Sequence, residues 1–254
     1  MSHSTPSKNQ EIINLYTDLA NHSDKDFGWE KGLQNALKHG YEKEWIDSIP
    51  ETVWSYCAAV GNPFELGSFK QGKSVLDIGC GAGVDLCIAS LLVGKTGHVY
   101  GVDLTPAMVE KATEHAKLSK LSNVTVHEGS IEKLPFDNES INTVISNGAI
   151  NLSPSKEKVF SEIYRVLASG GALYFADMIK DESYKSDSKP TICGNETTSC
   201  STESWANCVS GTLHSDELLQ LIKNAGFVDA EQVSITHYKT SDSTIGATFR
   251  AIKE

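Results

Sequence analysis

Residues 75–84 read VLDIGCGAGV: an apolar run carrying Asp77, then glycines at 79, 81 and 83, then the start of another apolar stretch. A second apolar run, VYGVD, ends in Asp103, twenty-six residues after Asp77. The pattern demands a strand, a tight turn, a helix and a second strand. Glycines let the backbone turn sharply and approach a ligand closely. An acid closing the second strand is placed to accept hydrogen bonds from ribose hydroxyls. A dinucleotide fingerprint wants its third glycine one position later, where Val84 stands. The plainer reading is a strand–helix connection with no ligand, and the partner acid favours a nucleotide cradle. Asp103 would otherwise cap the next helix, but Thr105 suits that job and leaves the carboxylate free.

The cradle opens an alternating series. Strands are predicted at 74–78, 98–103, 123–128, 141–146 and 172–177. Helices are predicted at 84–93, after Thr105-Pro106 with Thr as N-cap, and at 154–168, stopped by Ser169-Gly170-Gly171. Such alternation implies an α/β, doubly wound, Rossmann-like sheet, mostly parallel and covered on both faces. After a polar stretch (181–204) come a helix at 215–225 and strands at 230–238 and 244–252. No crossover fits between the last two, so they are predicted to form an antiparallel C-terminal hairpin. Upstream, Ile12, Ile13, Leu15, Tyr16 and Leu19 have helical spacing, a second helical stretch ends at Gly40, and Trp45, Ile46, Trp54 and Tyr56 follow. Residues 1–70 are therefore expected to form a helical N-terminal cap over the ligand site. Residues 71–254 form the main domain, with a lid-like insertion at about 181–212.

Thirty-three acids against 22 Lys and Arg give a net charge of −11, and no basic run interrupts the chain. Nucleic acid and anionic membrane surfaces are thereby excluded as partners. The N-terminus is polar, and apolar stretches fall far short of the ~20 residues that span a bilayer. A cytoplasmic protein is expected, a monomer or weak dimer, with its six cysteines reduced. No pair of cysteines has zinc-type spacing.

The glycine turn, Asp103 and the order of elements resemble class I S-adenosylmethionine-dependent methyltransferases. The resemblance implies a seven-stranded sheet with a reversed hairpin and S-adenosylmethionine as cofactor. It puts Asp77 near the positive end of the methionine part. Gly79, Gly81 and Gly83 form the cradle, and Cys80 fits inside the turn as a small side chain. Asp103, Leu104 and Met108 would line the nucleoside. Ser130 and Ile131 stand in the loop flanking adenine, where the family has Asp at 130. Asn147 would face both the methionine part and the substrate.

More specifically, GNPF (61–64), LDIGCGAGVD (76–85), GVDLTPAM (101–108), VISNGAINLSPSK (144–156), YRVLASGG (164–171), WANCVSGTL (205–213) and ATFRAIK (247–253) resemble the arsenite methyltransferase family. That family holds trivalent arsenic on thiolates, soft ligands for a soft centre, leaving a lone pair to attack the methyl group. One ligand maps onto Cys208. The other two positions hold Val60 and Gly148, with Cys57 as a displaced substitute and Cys193 or Cys200 as replacements from the lid. Glutathione or another thiol would be a partner.

Cys208, Asn147 and Asp177, the last at the end of the fifth strand, are the expected substrate-orienting residues. His127, His214 and His237 are candidate bases for a hydroxyl or amine acceptor. Three functions follow: transfer to arsenite or a small thiol; transfer to an organic O-, N- or C-acceptor after loss of the arsenic ligands; or cofactor binding without catalysis.

Overall fold

The structure, a computed structural model, describes residues 7–184 and 211–254. Cys193, Cys200, Cys208 and nearly all of the expected lid lie outside the described residues.

Seven strands form one sheet: β1 (Ser74–Ile78), β2 (His98–Asp103), β3 (Val124–Glu128), β4 (Ile141–Asn147), β5 (Leu167–Lys180), β6 (Val228–Ile235) and β7 (Thr244–Ile252). Their order is β3-β2-β1-β4-β5-β7-β6. β1 to β5 run parallel, and β7 inserts antiparallel between β5 and β6. The strand order reverses between β1 and β2 on one side and β4 on the other. At such a switch point the loops leave the carboxyl ends in opposite directions and open a crevice.

Pleating divides the core. Val75 and Ile145 face a layer with α5 (Val84–Val93), while Leu76, Ile78, Val144 and Phe175 face α7 (Lys156–Val166) and α8 (Ser215–Asn224). α5 is apolar almost all round because it is covered on every side. α6 (Pro106–Leu118) starts with Pro106 at its first turn, where a missing N–H costs nothing.

Among the described residues, four α-helices precede the sheet: α1 (Lys8–Asn21), α2 (Leu33–Lys38), α3 (Lys43–Ser48) and α4 (Glu51–Trp54). Tyr41, Trp45, Trp54 and Phe64 pack edge to face with one another and belong to the same core as α5. α2, α3 and α4 are thus continuous with the core of the sheet, while α1 packs against Ala82 and Met108.

One element differs from its sequence pattern. Ser169-Gly170-Gly171 does not separate helix from strand, since β5 already begins at Leu167 and runs through it. A kink at Gly170, whose φ is +74°, carries the chain across a register shift against β4. The backbone then continues the ladder through bonds between Gly170, Gly171 and Lys253.

Candidate functional site

The crevice at the carboxyl ends of β1, β2 and β4 holds a cleft of about 1450 Å³, counted out to its open mouth. Its floor is the glycine turn. Gly79 and Cys80 donate their N–H groups to Val102 O, at 2.7 and 3.1 Å, which ties the turn to β2. Gly79 has φ +69°, and a Cβ there would collide with the Cβ of Ala149. Gly81 has φ +50°, and a Cβ there would meet no atom within 4 Å. One glycine serves packing; the other keeps space open above the floor. α5 begins at Gly83 and turns its unpaired N–H groups toward the cleft, a local excess of positive charge.

Asp103 is not free in the way its neighbour Thr105 suggests. Thr105 makes no side-chain cap. Instead Asp103 Oδ1 accepts from Thr105 N at 2.8 Å and Oδ2 from Gly81 N at 2.9 Å. A carboxylate offers about four acceptor sites, so capacity for two ribose hydroxyls remains. Leu104, Met108, Ser130 and Ile131 line the same end of the cleft. The Ser130 hydroxyl accepts from Glu132 N at 3.2 Å, which shapes the loop.

Two more acids line the cleft. Asp77 is 2% exposed, and its Oδ2 has no hydrogen-bond partner among the described residues. Burial, then repulsion from Asp85 and Asp103, raises its pKa well above the carboxylate range. Asp85, in the first turn of α5, accepts from Tyr41 Oη at 2.7 Å and from Asn147 Nδ2 at 3.0 Å. Burial pushes it up to about 6 against the pull of those two donors. Neither Asp85 nor Tyr41 stood out in the sequence. The signal was an acid in an otherwise apolar helix directly after the glycine turn.

Asn147 lines the cleft, but its amide is committed. Its Oδ1 accepts from Val60 N at 2.8 Å, and its Nδ2 bonds to Gly61 O, Asp85 and Tyr41 Oη. It braces the loop before the sheet rather than presenting a group to an acceptor. Asp177 is not among the residues lining the cleft; its oxygens accept from Met178 N at 2.8 Å and Asn151 N at 3.0 Å. Those bonds anchor the 3-10 turn after β4, and burial raises its pKa to about 6.

Cys57 and Cys80 line the cleft. The Cys57 thiol donates weakly to Asn35 Oδ1 at 3.5 Å, and burial holds both thiols in their protonated form. Cys87 is core filling, its pKa pushed up to about 12 by burial. Val60 and Gly148 lie side by side: a Cβ at 148 would sit 3.2 Å from Val60 Cγ2. Val60 packs with Met178, Tyr238 and Trp29, which makes that wall apolar and aromatic. The candidate histidines are elsewhere. His127 packs between Tyr100 and Phe136, His214 caps α8, and His237 is outside the cleft lining.

Among the described residues no three His, Cys, Asp or Glu side chains converge on a metal position, and no helix is long and apolar enough to cross a membrane. The cradle fits S-adenosylmethionine on its own chemistry. It has an open glycine floor, an acid with spare acceptor sites for a ribose, and an orphaned buried carboxylate where a positive charge is wanted.

A methyltransferase domain family matches residues 69–226. The chain is 35% identical over 202 residues to an arsenite methyltransferase of Halobacterium salinarum, covering 80% of this chain and 49% of that protein. It is 38% identical over 199 residues to the Homo sapiens arsenite methyltransferase, covering 70% and 50%. The chain thus spans about half the length of these curated relatives. Among solved structures, CrArsM, an arsenic (III) S-adenosylmethionine methyltransferase from Chlamydomonas reinhardtii, superposes with a TM-score of 0.63 at 33% identity, covering 83% of this chain and 73% of that one. A geranyl diphosphate C-methyltransferase from Streptomyces coelicolor shares the fold at 17% identity and a TM-score of 0.64, with 100% of each chain covered.

Proposed function

The chain belongs to the methyltransferase domain family, and on that premise we propose that it transfers a methyl group from S-adenosylmethionine to a small acceptor with a soft nucleophilic atom, of the arsenite or thiol kind. When bound, the cofactor supplies a methyl carbon on a positively charged sulfur; the acceptor's lone pair bonds to that carbon as the C–S bond breaks, its electrons remaining on sulfur.

In this reading Gly81 lets the nucleoside approach the backbone, and Asp103 accepts from its ribose hydroxyls. Leu104, Met108, Ser130 and Ile131 enclose the base. Asp77 and Asp85 face the sulfonium end. Asn147 acts by position, holding Val60, Gly61 and Asp85 where the acceptor must line up with the methyl carbon. In-line alignment and exclusion of water supply most of the acceleration, and a soft lone pair needs no strong base. That agrees with a cleft lined by none of the candidate histidines. Residues 1–70 act as a helical cover and 71–254 as the transferase body. Cys208 would meet the acceptor from the segment beyond the described residues, with Cys57 as its partner once that thiol leaves Asn35. A thiol such as glutathione would keep arsenic trivalent, in a reducing compartment such as the cytoplasm, and a monomer or weak dimer suffices.

The observation carrying the reading is the coincidence of open floor, ribose acid and orphaned carboxylate in one cleft. A second reading is favoured by Val60 and Gly148. Where the resemblance implies two thiols, an apolar wall stands, which suits an organic O-, N- or C-acceptor. Turnover with reduced protein separates the two, comparing arsenite plus glutathione, simple thiols and no acceptor, with Cys208→Ser in parallel. Methylated arsenic that disappears in Cys208→Ser supports the first reading. Cofactor binding with neither an arsenic nor a thiol product contradicts it and leaves the organic acceptor.

A further inference from the structure

Asp77 and Asp85 stand on consecutive elements, β1 and α5, and both line one cleft. Asp77 is 2% exposed with an oxygen that nothing among the described residues satisfies. Asp85 is buried and receives only neutral donors, the Tyr41 hydroxyl and the Asn147 amide. Asp103 and Glu132 add two further acids to the lining, and among the described residues no Lys, Arg or His joins them. Two buried carboxylates facing one cavity without a counter-charge cannot both ionise cheaply, so a protonated form is favoured until a cation arrives.

We propose that Asp77 and Asp85 form a charge-reading pair: both are ionised against the sulfonium of the bound cofactor, and the pair takes up one proton from solvent when the sulfur beside it is a neutral thioether. The inference rests on the cofactor assignment above and gives Asp85 a positioning and selectivity role beyond the glycine turn. It would make the cleft prefer substrate cofactor over spent product, which otherwise share every nucleoside contact.

Burial, then repulsion from Asp85 and Asp103, raises the Asp77 carboxyl, and burial alone raises Asp85 to about 6. Tyr41 from the loop after α2, Cys57 from the loop after α4, Cys80 in the glycine turn and Cys87 on α5 are all held in their neutral forms by burial. Burial raises the Asp103 carboxyl on β2 as well, and its two backbone N–H partners pull against that rise. His115 on α6 bonds through Nδ1 to Ala82 O, and burial lowers its pKa.

The test is calorimetric binding of S-adenosylmethionine and of S-adenosylhomocysteine to the whole chain across roughly pH 5 to 8. In the wild type, affinity for the sulfonium should strengthen as pH rises through the pair's titration, approaching tenfold per pH unit below it. Thioether affinity should stay flat or weaken. Asp85→Asn should lower the affinity ratio at neutral pH by at least about tenfold and flatten the sulfonium profile. Tyr41→Phe keeps the carboxylate but removes a donor that favours its charged form, so the titration should move to higher pH with the preference retained. Melting temperatures of the variants check folding, and the wild-type series stands without them. Parallel profiles for the two ligands in the wild type, or an unchanged ratio in folded Asp85→Asn, overturn the proposal while leaving the cofactor assignment intact. Failure of S-adenosylmethionine to bind the wild type overturns both.

Discussion

Gly79 and Gly81 answer two different demands within three residues. Gly79 faces Ala149, and its backbone is left-handed, so Gly79→Ala combines dihedral strain with a clash. It should destabilise the chain by roughly 2–4 kcal/mol in urea unfolding. Gly81→Ala meets open space and should cost only about 1–2 kcal/mol, yet weaken cofactor binding far more than Gly79→Ala does per unit of stability lost. Equal ratios in the two variants would place the cofactor elsewhere. On the acceptor side, Val60→Cys restores a thiol beside Gly148 and should raise arsenic methylation if the soft-acceptor reading holds; mass spectrometry of the product checks it. At this scale the sequence exposed the glycines and Asp103 because their spacing is local. It did not expose Asp85 or Tyr41, which are forty-four positions apart and meet only in the fold. Nor could it tell where Asp177 bonds, because a strand-end acid reads alike whether it faces a cleft or anchors a turn.

Among the elements, the alternating apolar runs placed β1, β2, α5 and β7 within a residue of their bounds, since each is a short buried segment between turn residues. β5 was too short in the sequence reading. Glycines 170 and 171 look like a stop, and only pairing with β4 and β7 shows that the strand passes through them. The end of α7 depends on one distant residue. Lys253, itself buried, donates through Nζ to Tyr164 O at 2.9 Å and Leu167 O at 2.7 Å. These satisfy carbonyls that a helix end leaves open. Lys253→Met keeps the packing but orphans them, and should lower stability by about 1–3 kcal/mol. Thermal unfolding of the variant measures it, and an unchanged melting temperature would show that water replaces the lysine.

The molecule as a whole carries its acidity inward. Asp85 and Asp177 both titrate at about 6 when folded, against an ordinary value of 3.8. A carboxyl with a raised folded value binds more protons in the folded than in the unfolded state between those two limits. Its stabilising contribution is therefore full below about pH 4 and is lost as pH rises through 6. Each buried carboxylate costs on the order of 3 kcal/mol at neutral pH by that difference. Glu162, lowered chiefly by its bond to Arg165, works the other way, its contribution falling away as pH drops through its depressed value. Without ligand, the melting temperature should consequently fall as pH rises from about 4 to 6, and a flat profile would mean that water reaches these groups. The most direct measurement for the whole reading is equilibrium binding of S-adenosylmethionine to the reduced wild-type chain beside Gly81→Val and Asp103→Ala. One site per chain, weakened in both variants while their folds persist, is the expected result. No binding to the wild type, or equal binding to all three, would contradict it.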